Sequence, residues 1–497
     1  MNPPGFLRRN STFFIVLAVI LLLGVVGVLG MGQVPFVRTT LSGLTIGMLY
    51  FMVAAGLTLI FGLMDVLNFA HGTMFMVGAY LGWQFYTNPT FLFGLMPLIF
   101  ALLTGIMTAP ILRYYLMNLN LSEKTQQYAR TVLVITGLLI IFLSFRGFDI
   151  LGLAETAMVA TMTMGNPLAE ASAQEPLAVF WWRPVLMLLA GLVLAASSAR
   201  PGDKTQVVHA SDLKRAWITV AALLVLTMVL TLIREWGPVT VLLWDGNLRF
   251  FTALLVGTLC GAGLGAVVEV SLIRPLYVRP VFLVIATLGL ANVLREIIMV
   301  LWDPLAYQMT RPPLFSQAGK AENILAWFSG NNVTVDVLGV TFPSYRLFII
   351  FLGLMMIIAL GVTMKYSRLG MIIRAGVQDR TMVEALGINV RRVFTIVFSL
   401  GAALAALGGI GAAPFIPVQP NMGDAFQLQA FIVVVIGGMG SFSGAAIGAL
   451  LLGLARAFGD YFALKFSLSP AIAEASTVII MAIVLLVRPS GLFGKKE

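Results

Sequence analysis

The sequence predicts an all-α, polytopic bundle of membrane-spanning helices with about fourteen candidate spans and both termini on the inner side. Three observations carry this. Of the 497 residues 59% are hydrophobic and only 10% charged, with a mean hydropathy of +0.97, too apolar for an ordinary solvated surface. Apolar runs of about 20 residues, the length a helix needs to cross roughly 30 Å of hydrocarbon, recur along the whole chain. Basic residues gather in alternate loops, as topology signals do.

In chain order the candidate spans are 12–31, 40–62, 69–87, 91–112, 131–148, 180–198, 216–234, 250–272, 282–302, 346–364, 393–413, 427–444, 445–463 and 471–487. With the N-terminus inside, the inner segments hold twenty of the 31 Lys and Arg, which supports N-in and C-in. The start, MNPPGFLRRN and its apolar run, reads as a retained first helix, because LGMGQ makes a poor cleavage site. Around IGGMGSFSGAAIG, between the two spans at 427–463, a tight turn, a broken helix and a re-entrant segment all remain open. The longest outer loop, Asp303 to Tyr345, shows no obvious repeating strand pattern.

Several function classes drop out on the residues. The net charge of +10 is spread over short loops and forms no patch or arm, so nucleic acid is not an expected partner; the lipid bilayer is. The single cysteine, Cys260, excludes an intrachain disulfide, and two histidines make a histidine metal site unlikely on numbers alone. Zinc-protease, nucleophile-elbow and phosphate-loop motifs are absent, so no catalytic residue, metal or cofactor is expected in this chain. Any ATP used for uphill movement must bind another chain.

Some residues stand out within the spans. Gly257, Gly261 and Gly265 form one GxxxGxxxG pattern, and Gly440, Gly444 and Gly448 another, which allow helices to approach closely. Tight packing explains them, and so does a lining that shifts during transport. Arg295 and Glu296 lie about mid-span, where charge is costly, so one or both is expected to face the bundle interior or an aqueous path. Glu269, Arg456, Asp460 and Glu474 lie nearer span ends, where snorkelling is the ordinary explanation. Asn68 and His71 flank a helix start expected at the inner face, Asn68 as a cap and His71 as a structural hydrogen-bonder or a group on the translocation path.

The stretch Lys365 to Arg392 holds six basic residues against Asp379 and Glu384, and apolar spans flank it. It is expected in the cytoplasm as a short amphipathic helix using Met382, Val383 and Leu386, ended by Gly387 in a left-handed conformation. It is either a handle for a partner or a charged connector that fixes topology.

Three blocks resemble the permease subunits of ATP-binding-cassette importers for branched-chain amino acids, the LivH type. They are GLTIGMLYFMVAAGLTLIFGLMDVLNFAHGTMFMVGAY at Gly43 to Tyr80, IRPLYVRPVFLVIATLGLANVLREII at Ile273 to Ile298, and Tyr366 to Gly453 with the tail VRPSGLFG. The resemblance implies a cytoplasmic coupling helix that docks on an ATPase. Glu384, Ala385 and Gly387 stand at its EAA-and-Gly positions, Leu386 replaces a common alanine, and Arg374, Asp379 and Arg380 would flank the contact. It further implies partner ATPase subunits that bind the ATP, a second related permease, a periplasmic solute-binding protein and the bacterial inner membrane. The expected organisation is a first membrane helix at 1–35, permease core at 36–89 and 250–497 with the coupling loop at 365–392, and between them an inserted segment, 90–249, with four candidate spans. The substrate stays open among leucine, isoleucine, valine, urea, short amides and related solutes. An ion-coupled secondary transporter is the alternative, and Glu296 is its main support.

Overall fold

The structure is a computed structural model that describes residues 25, 27, 30–116, 122–162, 181–198, 210–277, 279–378 and 380–493. Most of the expected span 12–31 and the candidate residue Asp379 lie outside the described residues. Among those described, nine helical stretches are long and apolar enough to cross a membrane, joined by four shorter apolar helices. The protein is an all-α, multi-pass membrane bundle. It divides into two compact units, Met1–Trp83 with Gly246–Glu497, and Gln84–Asp245.

The first unit is built around α1, Gln33–Met64. Glycines on its outer half admit a neighbour: a methyl group on Gly43 would stand 2.9 Å from Leu454 Cα, and one on Gly47 2.8 Å from Ala449 O. Asp65 ends α1 at φ 52°, its N–H donating to Phe61 O at 2.9 Å. Residues 65–68 then run without helix to α2, His71–Thr87. The sequence expectation put this helix start at the inner face. His71 instead bonds to Val53 of α1, eleven residues before Met64, or about 16 Å along the helix axis at 1.5 Å per residue. An extended segment of six residues reaches roughly that far, so α2 begins inside the bundle.

The chain re-enters this unit with α10, Gly246–Val268, which closes in a wide π turn at Glu269–Ile273 and a tight turn at Arg274–Leu276 before α11, Pro280–Trp302. Gly257, Gly261 and Gly265 are buried on one face of α10 against α2 and α16, Val390–Ala412: methyl groups on them would meet Gly78 O of α2 and Ala406 Cβ and Ala402 Cβ of α16. Between them come α13, Ser344–Tyr366, and two short helices, α14 (Arg368–Gln378) and α15 (Arg380–Ala385). The unit ends with α17 (Met422–Gly437), α18 (Phe442–Lys465) and α19 (Ala471–Val487).

At the open 427–463 stretch the chain makes a tight turn four to six residues earlier than the expected boundary. Gly438 and Gly440 have φ of 95° and 79°, and Ser441 Oγ caps α18 by accepting from Gly444 N at 3.2 Å. Gly440 therefore belongs to the turn, where it lies against Gly62, and only Gly444 and Gly448 pack from the helix, against Gly437 and Val433. The expected three-glycine helical stripe is corrected to two, because a left-handed glycine stops the helix from extending back to it.

The outer loop also departs from expectation. It folds into a three-stranded sheet, β1 (Gln317–Ala321) parallel to β2 (Asn332–Val337) and β2 antiparallel to β3 (Val340–Pro343), with the short helix α12, Ile324–Gly330, crossing between β1 and β2. Leu338 and Gly339 both take positive φ, the two-residue hairpin geometry that matches strand twist. The alternation Val333, Val335, Val337 was the signal.

The second unit comprises α3 (Thr90–Ile106), α4 (Ala109–Leu116), α5 (Glu123–Phe145), α6 (Ile150–Met162), α7 (Trp182–Ser198), α8 (Ala210–Ile233) and α9 (Gly237–Leu242). Its centre is the crossing of α3 and α7, where a methyl group on Gly105 would stand 2.6 Å from Gly191 Cα. Buried Arg183 closes the end of α5, donating to Gly147 O at 2.8 Å with its guanidinium 5.3 Å over the Phe148 ring. Helix α6 was not foreseen; its thirteen residues fall short of a span.

Candidate functional site

At one end of the first unit, two short helices form a platform. Ser367 Oγ accepts from Gly370 N at 2.9 Å and so caps α14. One face of α14 and α15 is apolar: Ile372, Gly376 and Val383 border a small gap with Leu63, Val390 and Phe394. The other face is open. Val383 is 2% exposed and Leu386, three residues on, 72%. Of the expected apolar contacts near Glu384, Val383 turns into the bundle and Leu386 outward.

Helix α15 ends as a Schellman turn: Ile388 N donates to Val383 O, Gly387 N donates to Glu384 O at 3.0 Å, and Gly387 takes φ 78°. Asn389 then caps α16, accepting from Arg392 N at 3.1 Å. Glu384, Ala385, Leu386 and Gly387 thus form one consecutive exposed knob between two capped helices. Arg374 lies on the exposed side of α14 and donates back to Met364 O, and Arg380 opens α15. The C-terminal tail reaches the same end, where Leu492 N donates to Ile436 O at 2.8 Å.

Just inside this platform a carboxylate is sealed in. Glu269 is 0% exposed, and Oε1 accepts from Arg274 Nε (3.2 Å) and Tyr277 OH (2.7 Å) while Oε2 accepts from Arg274 Nη2 (2.9 Å) and Thr395 Oγ1 (2.7 Å). It does not snorkel; it ties the π turn of α10 to α16, six residues beyond the Asn389 cap. Toward the opposite end, Arg456 pairs with Asp460 at 3.4 Å and Glu474 at 3.5 Å.

The second constellation surrounds the deep start of α2. Asn68 Oδ1 accepts from Ala70 N at 3.0 Å, and Thr287 Oγ1 of α11 accepts from Phe69 N at 3.3 Å. Gln427 of α17 clamps the turn from both sides, accepting from Gly72 N and donating from Nε2 to Asn68 O at 3.4 Å. Non-helical backbone is tolerated at membrane depth only when satisfied in this way. His71 is fully buried, its Nε2 3.0 Å from Val53 O, and glycine at 56 makes room for the ring. Asn68 Nδ2 and His71 Nδ1 are buried with no hydrogen-bond partner. A helix start carries partial positive charge, here within the bundle.

One turn along α17 from Gln427, Asp424 meets the charges of α11. Arg295 Nη1 lies 3.0 Å from Asp424 Oδ2, its Nη2 donates to Asn292 Oδ1 at 2.9 Å and stands 3.8 Å from Glu296. Arg295 and Glu296, neighbours about 100° apart on the helix, come no closer than 3.8 Å, and the nearer carboxylate partner of Arg295 is Asp424 of α17. Sequence reasoning missed Asn292, Asp424 and Gln427. Polar residues among apolar neighbours were the available signal, and the expected span 427–444 begins just past Asp424.

The family described as branched-chain amino acid transport system / permease component matches residues 215–488, just over half the chain. The high-affinity branched-chain amino acid transport system permease protein LivH of Salmonella typhimurium is 34% identical over 172 residues, 34% of this chain and 53% of that protein. BraD of Pseudomonas aeruginosa, a permease protein of the same description, is 32% identical over 188 residues, covering 37% and 59%. The ribose import permease protein RbsC of Escherichia coli is 31% identical over 210 residues, covering 40% and 57%. The chain thus spans a little over half the length of these relatives. No solved structure matches.

Proposed function

Since the chain belongs to the family of branched-chain amino acid transport system permease components, we propose that it is the membrane-spanning subunit of an ATP-binding-cassette importer in a bacterial inner membrane. Its cargo is branched-chain amino acids or related small solutes, handed over by a periplasmic solute-binding protein. A second, related permease and two ATPase subunits complete the assembly, and the ATP binds to those ATPases.

The observation that carries this reading is the exposed knob Glu384–Gly387. It is held between two capped helices and backed by an apolar face, so a partner gripping it moves a rigid body rather than a loose loop. Arg374, Asp379 and Arg380, which precede the knob in the sequence, are the charges that the resemblance implies beside the grip. ATP-driven closure of the ATPases draws two such knobs together. The stroke passes through the Asn389 cap to α16 and through the Glu269 cluster to α10, and tilts the helices around the path. Pull-down of the protein from its native membrane tests this: ATPase and second-permease subunits accompany the wild-type chain, and a Glu384→Lys, Leu386→Pro double variant inserts normally but loses the ATPase. Recovery without ATPase, or equal recovery with both chains, contradicts the reading.

A further inference from the structure

The faces of α11 and α17 carry charge at membrane depth where a lipid-facing helix would be apolar. Arg295 lies seven residues before the end of α11 at Trp302, about 10 Å along the axis, yet it is 30% exposed, Glu296 62% and Asp424 59%. Charge this open is not stable against hydrocarbon, so this surface borders water. The cluster is also mixed in sign. One guanidinium, oriented by Asn292 Oδ1, stands between two carboxylates, and Gln427, one turn along α17 from Asp424, bonds the deep start of α2. Further in, the half-buried rings of Phe69 and Phe431, with centroids 6.3 Å apart, offer apolar surface.

We propose that Arg295 and Asp424, with Glu296, form a binding site on the translocation path for the zwitterionic head of an α-amino acid, a reading that rests on the importer function above. An α-amino acid holds its carboxylate and ammonium on one carbon. Arg295 and Asp424, already 3.0 Å apart, part slightly to take the carboxylate on the guanidinium fork and the ammonium on the Asp424 and Glu296 carboxylates. Between loads the two charges satisfy each other. The aliphatic side chain lies toward Phe69 and Phe431. A sugar or urea brings neither charge and leaves both groups paired, so the site favours an amino acid over the kind of solute named for the ribose permease relative.

The test uses the complete reconstituted transporter with Leu288→Cys, one turn from Asn292 on α11, in a Cys260→Ser background, and a membrane-impermeant thiol reagent. The thiol is labelled; leucine slows labelling several-fold, and neither its α-keto acid analogue nor isopentylamine does. Arg295→Gln and Asp424→Asn each remove the protection by leucine while labelling continues. The site is overturned if neither Leu288→Cys nor a second reporter, Asn292→Cys, is labelled, if leucine gives no protection, or if the keto acid protects equally. ATP-driven leucine uptake in the same vesicles separates the two claims: uptake without protection removes this site and leaves the importer, and protection without uptake does the reverse.

Discussion

Two charged clusters in the first unit use similar groups for opposite ends. Around Glu269 both carboxylate oxygens are occupied by donors from Arg274, Tyr277 and Thr395 of α16, and the group is fully buried. Around Arg295 the same guanidinium-carboxylate pairing is left open on a face. The difference teaches how to read charge inside a membrane protein: a closed cluster fastens helices, and an open one within a span marks a surface that meets water.

The largest expected effect separates the two. Arg274→Leu strands the buried Glu269 carboxylate and costs about 3–5 kcal/mol, while Glu269→Gln, which leaves a half-exposed arginine, costs about 1–3 kcal/mol. Arg295→Gln shifts stability by less than about 0.5 kcal/mol, as an exposed pair does. Thermal unfolding of the purified protein in detergent ranks the three, and equal losses would erase the distinction.

Glycine packing gives the next contrast. Gly409→Ala drives its methyl into Phe75 O between α16 and α2 and costs about 1–3 kcal/mol. Gly289→Ala, with nothing within 4 Å, gains up to about 1 kcal/mol of helix propensity. A loss at Gly289 would mean that a partner chain packs there. At the knob, Gly387→Val puts a branched residue at φ 78° and costs about 1–2 kcal/mol, read as loosened protection of residues 383–388 in hydrogen exchange.

The smallest effect lies in the outer sheet. A hydrogen bond from Lys320 holds the Asp336 carboxyl below its ordinary pKa. Its contribution is therefore present above the unfolded carboxylate value of about 3.9 and is lost as pH falls through the lower folded value. Trp327, whose indole donates to Asn332 O on β2, reports this by fluorescence, and Asp336→Asn flattens the acid limb.

The same distinction explains what the sequence made legible. Long apolar runs fix most spans because burial from water or lipid depends on length and composition, and Gly387 announced a left-handed stop because few other residues take it easily. The deep start of α2 was not legible. The sequence put this start at the inner face, and contacts with Val53, Thr287 and Gln427 on other helices draw it inward. Glu269 was misread for the same reason, since its partner Thr395 is 126 residues away. The valine alternation in β2 was visible but diluted by the polar residues of β1.

The most direct measurement is uptake of labelled leucine by proteoliposomes containing the whole complex and its binding protein, once with ATP and no ion gradient and once with an ion gradient and no ATP. Uptake under the first condition alone, abolished when the Glu384–Gly387 knob is altered, is the predicted result. Uptake that persists without ATP and ignores the knob would contradict a conduit driven from outside the membrane by a separate ATPase.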